Sequence, residues 1–424
     1  MGSIQPDDKI HVVIVGAGLG GAACAIACAR QGMKVTLFDQ APEFYPLGDS
    51  VGFGSNTSRL FKRWGTLYDD MWAISSRAGD TIMRDYDGRV IAVDTTLATA
   101  EATYGHKGLI GHRGHYHMIF IEHARKNGVE VRLGHRIERY DETKPSVFLP
   151  SGEEVVADVV IAADGVKSAG RLAVLGFEDA PVHSGYAVWR AYCDSSIFKD
   201  DPLVSPFLEK DCLNLWIGPD LHGFVTVIRD GSEINAVLTH KDVGDVAEGW
   251  MFPGKREDIL EAIDGWDPAF VRVWEKMENI LDWKLVYRPC LDKWVADTGL
   301  VALMGDAAHP FLPTSTQGAS QAVEDGASIA LCLAKAGKGN IPLALHTYFA
   351  LRYNHVKAAQ QIGITQRDKW HNLHDKKTKK MLQTLDTSKG VLDSYWSWAH
   401  DAEKAVDEGW EETSRRSWPG FAGQ

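Results

Sequence analysis

The chain has 424 residues, of which 45% are hydrophobic, so it can bury a large core and divide into two domains. Its formal net charge is −12, and the basic run from Asp375 to Lys380 has acids nearby, which is typical of a solvated face. This balance argues against a nucleic-acid partner, because neutralising phosphates requires a clustered basic surface.

The cysteines and the N-terminus indicate the compartment. Six cysteines are scattered without a CxxC pair, so we expect no metal site, and their use suits a reducing compartment. The N-terminus lacks a basic segment followed by an apolar one, so no signal peptide is predicted. The uncharged run from Val12 to Ala29 approaches membrane-spanning length, but its central glycines favour a strand, a turn and a helix. We therefore expect a cytoplasmic protein without a membrane span.

The first predicted elements form a β–α–β unit in the stretch HVVIVGAGLGGAACAIACARQGMKVTLFDQ. Gly16 permits a tight turn after the strand, Gly18 lets the backbone approach a pyrophosphate, and Gly21 lets the helix pack closely on the sheet. The start of the helix offers free N–H groups to phosphates. Asp39, at the end of the second strand, is placed to accept hydrogen bonds from a ribose. Its carboxylate would repel a 2′-phosphate, but it does not distinguish FAD from NAD.

Short β-branched runs then alternate with helical patterns in three separated blocks, which predicts a parallel sheet with helices on its faces. The stretches between the blocks show period-two alternation, which predicts antiparallel strands, and the turn RDGSE joins two of them as a hairpin. The predicted fold is α/β: a Rossmann-like nucleotide-binding domain in three segments, an inserted antiparallel-sheet substrate domain, and C-terminal helices. The predicted boundaries are 1–75, 106–180 and 295–368 for the nucleotide-binding domain, 76–105 and 181–294 for the substrate domain, and 369–424 for the C-terminal helical segment.

A second motif lies in the stretch VVIAADGVKSAGR. Its pattern, DGxxSxxR, consists of Asp164, Gly165, Ser168 and Arg171. A strand is predicted to end in the acid and the glycine, and a short helix to begin with Ser168 and carry a cation. Alone, this pattern also suits a β-turn followed by a capped helix.

A third motif is GDAAHPFLPTSTQG. Asp306 is predicted to end a strand, with small neighbours that would let a bulky ligand lie against the backbone. Pro310 and Pro313 stiffen the turn by fixing φ. Gln317, Gly318 and Ala319 then open a helix whose free amides would face the ligand.

In this order, the three motifs resemble those of the class A flavoprotein monooxygenases, the salicylate-hydroxylase-like and para-hydroxybenzoate-hydroxylase-like family in its fungal type. The resemblance runs from the first strand to about residue 368. It implies that the glycine motif takes the pyrophosphate of FAD and that Asp39 binds the adenosine ribose. The other positions that it assigns to the cofactor are Gly52 over the flavin, Arg113, Asp164, Asp306 on the ribityl chain, Pro310 near the isoalloxazine, and the amides of Gly318 and Ala319 at the pyrimidine edge.

The resemblance also implies the reaction. NAD(P)H reduces the flavin, O2 adds to form a flavin C4a-hydroperoxide, and this species transfers one oxygen atom to an electron-rich ring. The expected substrate is an aromatic or indolic small molecule of secondary metabolism. A protein of another class, which binds flavin and reduces or senses without transferring oxygen, is the more remote alternative.

Two residues are candidates for handling the substrate. Arg190 lies on a predicted strand beside Trp189 and Tyr192, at a position where fungal-type phenol hydroxylases hold a phenolate or polar group; an outward, solvated arginine is the other interpretation. Asp49 stands where the family has small apolar residues. It could accept a proton or fix a basic nitrogen, or it could be an ordinary surface acid.

The chain departs from the family at the tyrosine that usually assists the arginine. Thr226 and Val227 stand where Tyr and Pro are expected, although Tyr186 or Tyr192 could substitute. An indole needs no deprotonation, so losing the tyrosine would do no harm with such a substrate. Epoxidation of an indole C2=C3 bond followed by rearrangement, as in a spirocyclase, is therefore an alternative to ring hydroxylation.

Overall fold

The computed structural model describes residues 8–46, 48–179, 182–242, 252–372 and 393–417. One sheet is built from five parallel strands, as the β–α–β pattern predicts. With strands numbered in chain order, these are β1 (His11–Val15), β2 (Lys34–Phe38), β7 (Glu130–Arg132), β11 (Val159–Ala162) and β18 (Val301–Leu303). They lie in the order β18-β11-β1-β2-β7.

Eleven α-helices are found in the described residues. They are α1 (Leu19–Arg30), α2 (Ser55–Arg63), α3 (Leu67–Ala73), α4 (Thr96–Tyr104), α5 (Arg113–Lys126), α6 (Gly170–Leu175), α7 (Arg256–Ala262), α8 (Pro268–Lys276), α9 (Gly318–Ala336), α10 (Ile341–His371) and α11 (Ala402–Ser417). α1 and α9 pack closely, because a Cβ on Gly326 would lie 2.7 Å from the Cα of Cys24. Among the described helices, none has the length and apolar character to cross a bilayer.

A second sheet has eight strands. They are β16 (Phe252–Pro253), β17 (Leu281–Tyr287), β12 (Val182–Asp194), β15 (Glu233–Lys241), β14 (Leu221–Ile228), β13 (Cys212–Gly218), β4 (Thr81–Asp85) and β5 (Val90–Asp94), in that spatial order. The RDGSE turn does join β14 to β15 as a hairpin, with positive φ at Arg229, Asp230 and Gly231. One part of the prediction was wrong: β4 and β13 pair in parallel. They come from different inserts, so no hairpin connection forces them to be antiparallel.

The two faces of this sheet have different surroundings, because side chains alternate along each strand. Arg190 pairs with Val237, and Val188 with Trp283, so these four side chains share one face, which we call the site face. The opposite face, which carries Trp189, is packed into a hydrophobic core with residues of α7 and α8. The site face is thus the one left to meet the parallel-sheet region.

Two small sheets and a long helix complete the fold. The small sheets are β3 (Ser50–Phe53) with β6 (Leu109–His112), and β8 (Arg139–Asp141), β9 (Ser146–Phe148) and β10 (Glu154–Val156). α10 has 31 residues and runs past the predicted boundary at 368. Its end reaches the eight-stranded sheet, where the rings of Trp370 and Phe224 lie 6.0 Å apart.

The domain boundaries remain a proposal. All five parallel strands come from the three segments assigned to the nucleotide-binding domain, and all eight strands of the second sheet come from the two inserts. α4, however, lies in an insert but packs with the C-terminal segment, where Ala100 and Trp398 share a small cluster. The basic run from Asp375 to Lys380 lies outside the described residues.

Candidate active site

The glycine turn after β1 has the geometry of an anion cradle. Gly16 adopts φ +99, and a Cβ on Gly21 would lie 1.9 Å from the carbonyl oxygen of Gly16, so both positions require glycine. A Cβ on Gly18 would meet nothing within 4 Å, so open space lies over this residue. α1 begins there without a side-chain cap. Its first N–H groups are therefore available to a phosphate.

Asp39 lies directly after β2 and ties the neighbouring turns together. Its Oδ2 accepts a hydrogen bond from the Ala17 N–H at 2.8 Å, and its Oδ1 accepts one from the Ala41 N–H at 2.8 Å. A carboxylate has about four acceptor positions, so a ribose could still bind to it.

Asp164 of the DG motif forms hydrogen bonds within the protein that the sequence did not predict. Asp164 Oδ2 accepts hydrogen bonds from the Tyr140 hydroxyl at 2.8 Å and from the N–H of Ala169 at 2.9 Å. Burial raises the pKa of Asp164, although these hydrogen bonds oppose the change. The helix begins at Gly170 rather than at Ser168 as predicted, because the carboxylate of Asp164 binds the N–H groups at its start.

Arg171, the cation of this motif, joins it to the third motif. Its Nη1 donates to the carbonyl of Ala307 at 2.7 Å, and its Nη2 pairs with Asp179. The guanidinium therefore supports the loop that carries Asp306.

The third motif forms a loop whose acidic side chain, Asp306, lines an open cleft. β18 ends at Leu303, so Asp306 lies in a short 3₁₀ turn rather than at the strand end as predicted. Its side chain is exposed within the cleft. The surrounding protein raises the pKa of Asp306 by desolvation, while His309 and Arg113 act in the opposite direction. The cleft is lined by Asp306 and Pro310 on one side and by Trp283 and other residues of β17 on the other.

α9 begins at the end of this loop, as predicted. No side chain caps its start at Gly318, so its first amides are available. Gln317 Nε2 and Ser320 Oγ, at the same helix start, are buried without a hydrogen-bond partner among the described residues. Such unsatisfied polar atoms fit a site that takes a polar ring edge from a cofactor.

Three of the predicted positions, Asp49, Gly52 and Arg113, lie in or next to the small sheet of β3 and β6. The carbonyl of Asp49 accepts a hydrogen bond from the Arg113 N–H at 2.9 Å, which joins it to the start of α5. Gly52 lies in β3, opposite Ile110 of β6. Desolvation raises the pKa of Asp306 and lowers the pKa of Arg190, and in both cases the positive charge of Arg113 acts to lower the pKa.

Arg190 and Asp49, predicted separately, lie together. The distance from Arg190 Nη1 to Asp49 Oδ2 is 3.8 Å. Arg190 is buried on the site face, with its guanidinium carbon 5.0 Å from the centre of the Trp283 ring. Burial lowers the pKa of Arg190, and Asp49 opposes this change. The outward, solvated arginine is therefore excluded.

A hydrogen-bonded contact that the sequence did not suggest lies beside this pair. Asn235 Oδ1, on β15, accepts from the Ser50 N–H at 3.2 Å and from the Ser50 hydroxyl at 2.9 Å. Nδ2 of Asn235 donates to the carbonyl of Ala191 at 3.0 Å. Nothing in the sequence near either residue signals this contact, because it joins distant segments.

The tyrosines considered as substitutes already have protein partners. The Tyr192 hydroxyl bonds to the carboxylate of Glu233, and burial together with that carboxylate raises the pKa of Tyr192. The Tyr186 hydroxyl lies 3.2 Å from Nδ1 of His371. Thr226, buried on the site face opposite Asn235, offers only a short hydroxyl.

A cluster of ligand-type side chains lies outside the cleft. Glu324, His355 and His400 place three ligand atoms within 4.8 Å of one another, from positions far apart in the sequence. The carboxylate of Glu324 is already neutralised by Arg352, whose Nη1 lies 2.6 Å from Oε2. This ion pair accounts for the buried acid without a metal ion.

Comparison with known proteins identifies the family to which the chain is similar. The sequence model of the family described as FAD binding domain matches residues 9–362. Asperlicin C monooxygenase of Petromyces alliaceus is 32% identical over 411 residues, which cover 93% of this chain and 86% of that protein.

Solved structures agree as well. The structure of CtdE with FAD and substrate 4 matches with a TM-score of 0.85 and 25% identity, over 96% of this chain and 99% of that one. A salicylate hydroxylase substrate complex has the same fold, with a TM-score of 0.78 and 21% identity over 95% and 98% of the two chains. The relative that is named as a monooxygenase supports oxygen transfer, and not the alternative of a protein that binds flavin without transferring oxygen. The chain belongs to the FAD-dependent monooxygenases of the class A flavoprotein family.

Proposed function

We propose that the protein uses NAD(P)H and O2 to insert one oxygen atom into an aromatic or indolic small molecule of secondary metabolism. NAD(P)H supplies two electrons, one oxygen atom enters the substrate, and the other leaves as water. Bound FAD supplies the redox chemistry between these reactants. The proposal includes a reducing, cytoplasmic setting, which the six free cysteines support.

We propose that FAD lies along the crevice between the glycine turn and the loop of the third motif. Its pyrophosphate would bind the amides at the start of α1, where Gly18 leaves open space. Asp39 would bind the adenosine ribose and Asp306 the ribityl chain, because these carboxylates follow β2 and β18, which lie on opposite sides of β1 in the parallel sheet. The further contacts in this proposal are Gly16, Gly21, Gly52, Arg113, Asp164, Pro310, Gly318 and Ala319.

The chain's own contribution at the ring is electrostatic. A reduced flavin carries negative charge at its pyrimidine edge, and the N-terminus of α9 would face it with uncapped amides. Such a helix end stabilises an anion by about 0.3–2 kcal/mol. Pro310 and the side chains of β17 would cover the ring and limit access of water.

The substrate proposal rests on one observation, the contact between Arg190, which is buried on the site face, and the half-buried Asp49. Their charged atoms lie 3.8 Å apart, which is longer than a hydrogen bond. A nitrogen heterocycle fits both partners, because Asp49 can accept from an N–H while Arg190 donates to a carbonyl. One relative is named for its action on asperlicin C, which supports a small-molecule substrate.

Indole 2,3-epoxidation with rearrangement is the second candidate. Thr226 occupies the site face where a phenol hydroxylase of this family would have tyrosine, and the hydroxyls of Tyr186 and Tyr192 are engaged elsewhere. A phenol would therefore lack a partner to assist its deprotonation, whereas an indole needs none. Asp49 could then take part in proton transfer during the rearrangement.

The test is a screen of phenols against indole alkaloids, with asperlicin C included. We expect indole alkaloids to stimulate NAD(P)H oxidation in air and to yield a product that carries one ¹⁸O from ¹⁸O2. Stimulation by simple phenols alone would overturn the proposal of a nitrogen heterocycle as substrate. A product that contains two new oxygen atoms, or none, would overturn the proposed reaction.

A further inference from the structure

Asp325 holds the Asp306 loop on both sides. This fully buried acid lies on α9, and its Oδ2 accepts from the N–H of Gly305 at 3.0 Å. The same oxygen lies 2.6 Å from Nε2 of His309. Gly305 directly precedes Asp306, and His309 directly precedes Pro310. One carboxylate oxygen therefore joins the two ends of the segment that carries both proposed cofactor contacts.

The charge state of this group sets the direction of the hydrogen bonds. Burial would raise the pKa of Asp325, but His309 and Arg352 hold it below its ordinary value. Arg352 Nε lies 2.9 Å from Oδ1. An ionised carboxylate only accepts, so Nε2 of His309 donates. Charge-assisted hydrogen bonds of this kind are stronger than neutral ones and fix geometry accordingly.

The neighbouring acid, Glu324, contacts a different segment of the chain. Glu324 Oε1 accepts from Nδ2 of Asn56 at 2.6 Å, on α2 directly after β3. Arg352, on α10, forms ion pairs with both acids. Two successive residues of α9 thus contact different segments, Glu324 the start of α2 and Asp325 the loop of the third motif.

We propose that Asp325 is a positioning residue, which presents Asp306 and Pro310 to the flavin by fixing Gly305 and His309. The inference rests on the proposed placement of the ribityl chain at Asp306. A structural ion pair alone would stabilise the fold without affecting the cofactor, so the two roles differ in what a variant changes.

The experiment compares matched variants of the holoenzyme. His309→Gln keeps an N–H donor near the position of Nε2, whereas His309→Leu removes it. Asp201→Asn is the control for loss of a buried acid, because Asp201 pairs with Lys276 at 2.8 Å away from the cleft. The readouts are the FAD dissociation constant, the visible flavin spectrum, the flavin reduction potential and the unfolding temperature.

We expect Asp325→Asn and His309→Leu each to weaken FAD binding about tenfold or more and to change the flavin spectrum and potential. His309→Gln should restore affinity to within about threefold of the parent. The double variant should lose less affinity than the product of the two single losses, because both act through one contact. Asp201→Asn should lower the unfolding temperature alone.

Unchanged FAD affinity and spectrum in His309→Leu would overturn the proposal, as would equal losses in the Gln and Leu variants. If Asp325→Asn fails to fold, the comparison of His309→Gln with His309→Leu still tests the proposal. Asp306→Ala tests the underlying placement separately, because retained FAD affinity there would show that the ribityl chain lies elsewhere. None of these readouts needs a substrate, so they do not depend on the substrate proposal.

Discussion

At the scale of single residues, Arg190 and Asp49 form a contact between two opposite charges. A buried arginine loses hydration, and the carboxylate of Asp49, 3.8 Å away, stabilises its charge. We propose that this pair binds and orients polar groups of the substrate.

Substitution of the pair should affect turnover rather than folding. We expect Arg190→Ala to lower kcat/KM for the true substrate about 100-fold and Asp49→Asn about tenfold, since charged hydrogen bonds contribute about 1.5–3 kcal/mol. Steady-state oxidation of NAD(P)H measures this. Lys241→Ala is the matched control, because it removes an exposed cation and its pairing with Asp220 from the same sheet. Full turnover in both pair variants would contradict the assignment.

The glycines of the first motif separate binding from folding. Gly18 has φ −63 and open space, so Gly18→Ala should fold normally but place a methyl group where the pyrophosphate approaches. Gly21→Ala should destabilise the fold by at least about 1–3 kcal/mol, because its Cβ would overlap the Gly16 carbonyl. Thermal unfolding of the apoprotein and FAD titration distinguish the two effects. Equal stability losses would show that the space over Gly18 is not a ligand site.

At the scale of elements, α10 and β14 meet through a pair of buried imidazoles. His222 Nδ1 lies 2.9 Å from Nε2 of His371, and the Tyr186 hydroxyl lies at the other nitrogen of His371. Burial, then the charges of His371 and Arg367, lower the pKa of His222 well below its ordinary value. Burial and Arg367 lower the pKa of His371 to about 4. The junction of helix and sheet is therefore built from neutral imidazoles.

This junction should make stability depend on pH. The unfolded chain binds protons at these histidines below about pH 6.5, whereas the folded chain binds them only at lower pH. Stability should therefore be full above about pH 6.5 and fall toward pH 4, by up to about 1.4 kcal/mol per pH unit for each group. Urea unfolding at several pH values measures this slope. His371→Gln should reduce it, while His135→Gln, outside the junction, should not; an unchanged slope in the first variant would contradict the assignment.

Element types were largely predictable, and their exact ends were not. The glycine spacing around Gly16 predicts a strand, a turn and a helix, because backbone sterics leave few alternatives. α6 begins two residues later than predicted, because the carboxylate of Asp164 binds the N–H of Ala169 at its start. Helix propensities of single residues do not describe such a contact. β18 likewise ends before Asp306, because the N–H of Gly305 donates to the side chain of Asp325 and not to a neighbouring strand.

At the scale of the whole molecule, the cleft exists because two sheets meet. Ser50 and Asn235 join the β3 segment to β15, beside the Arg190–Asp49 contact. The residues of the three motifs could be identified from the sequence, because each motif is a short pattern of neighbouring residues. The partners Asn235, Trp283 and Asp325 could not, because their roles arise only from contacts between distant segments.

This junction between sheets should affect coupling, which is the fraction of NAD(P)H oxidation that yields oxygenated product. We expect Asn235→Ala to loosen the cleft, admit water and raise the fraction of NAD(P)H oxidation that ends as hydrogen peroxide at least about twofold. The ratio of product to NAD(P)H consumed measures this. Asn214→Ala is the control, because Asn214 is also buried but pairs with Val225 on the opposite face of the same sheet. Equal uncoupling in both variants would indicate general destabilisation instead.

The parallel sheet collects its strands from the start, the middle and the last third of the chain, and β18 supplies its edge. During synthesis, the first β–α–β unit therefore leaves the ribosome long before its neighbours α9 and β18 exist. Its apolar surface stays uncovered through most of translation, and closing such distant contacts is slow. Production of this enzyme in a foreign host should accordingly benefit from slower synthesis, lower temperature and added chaperones.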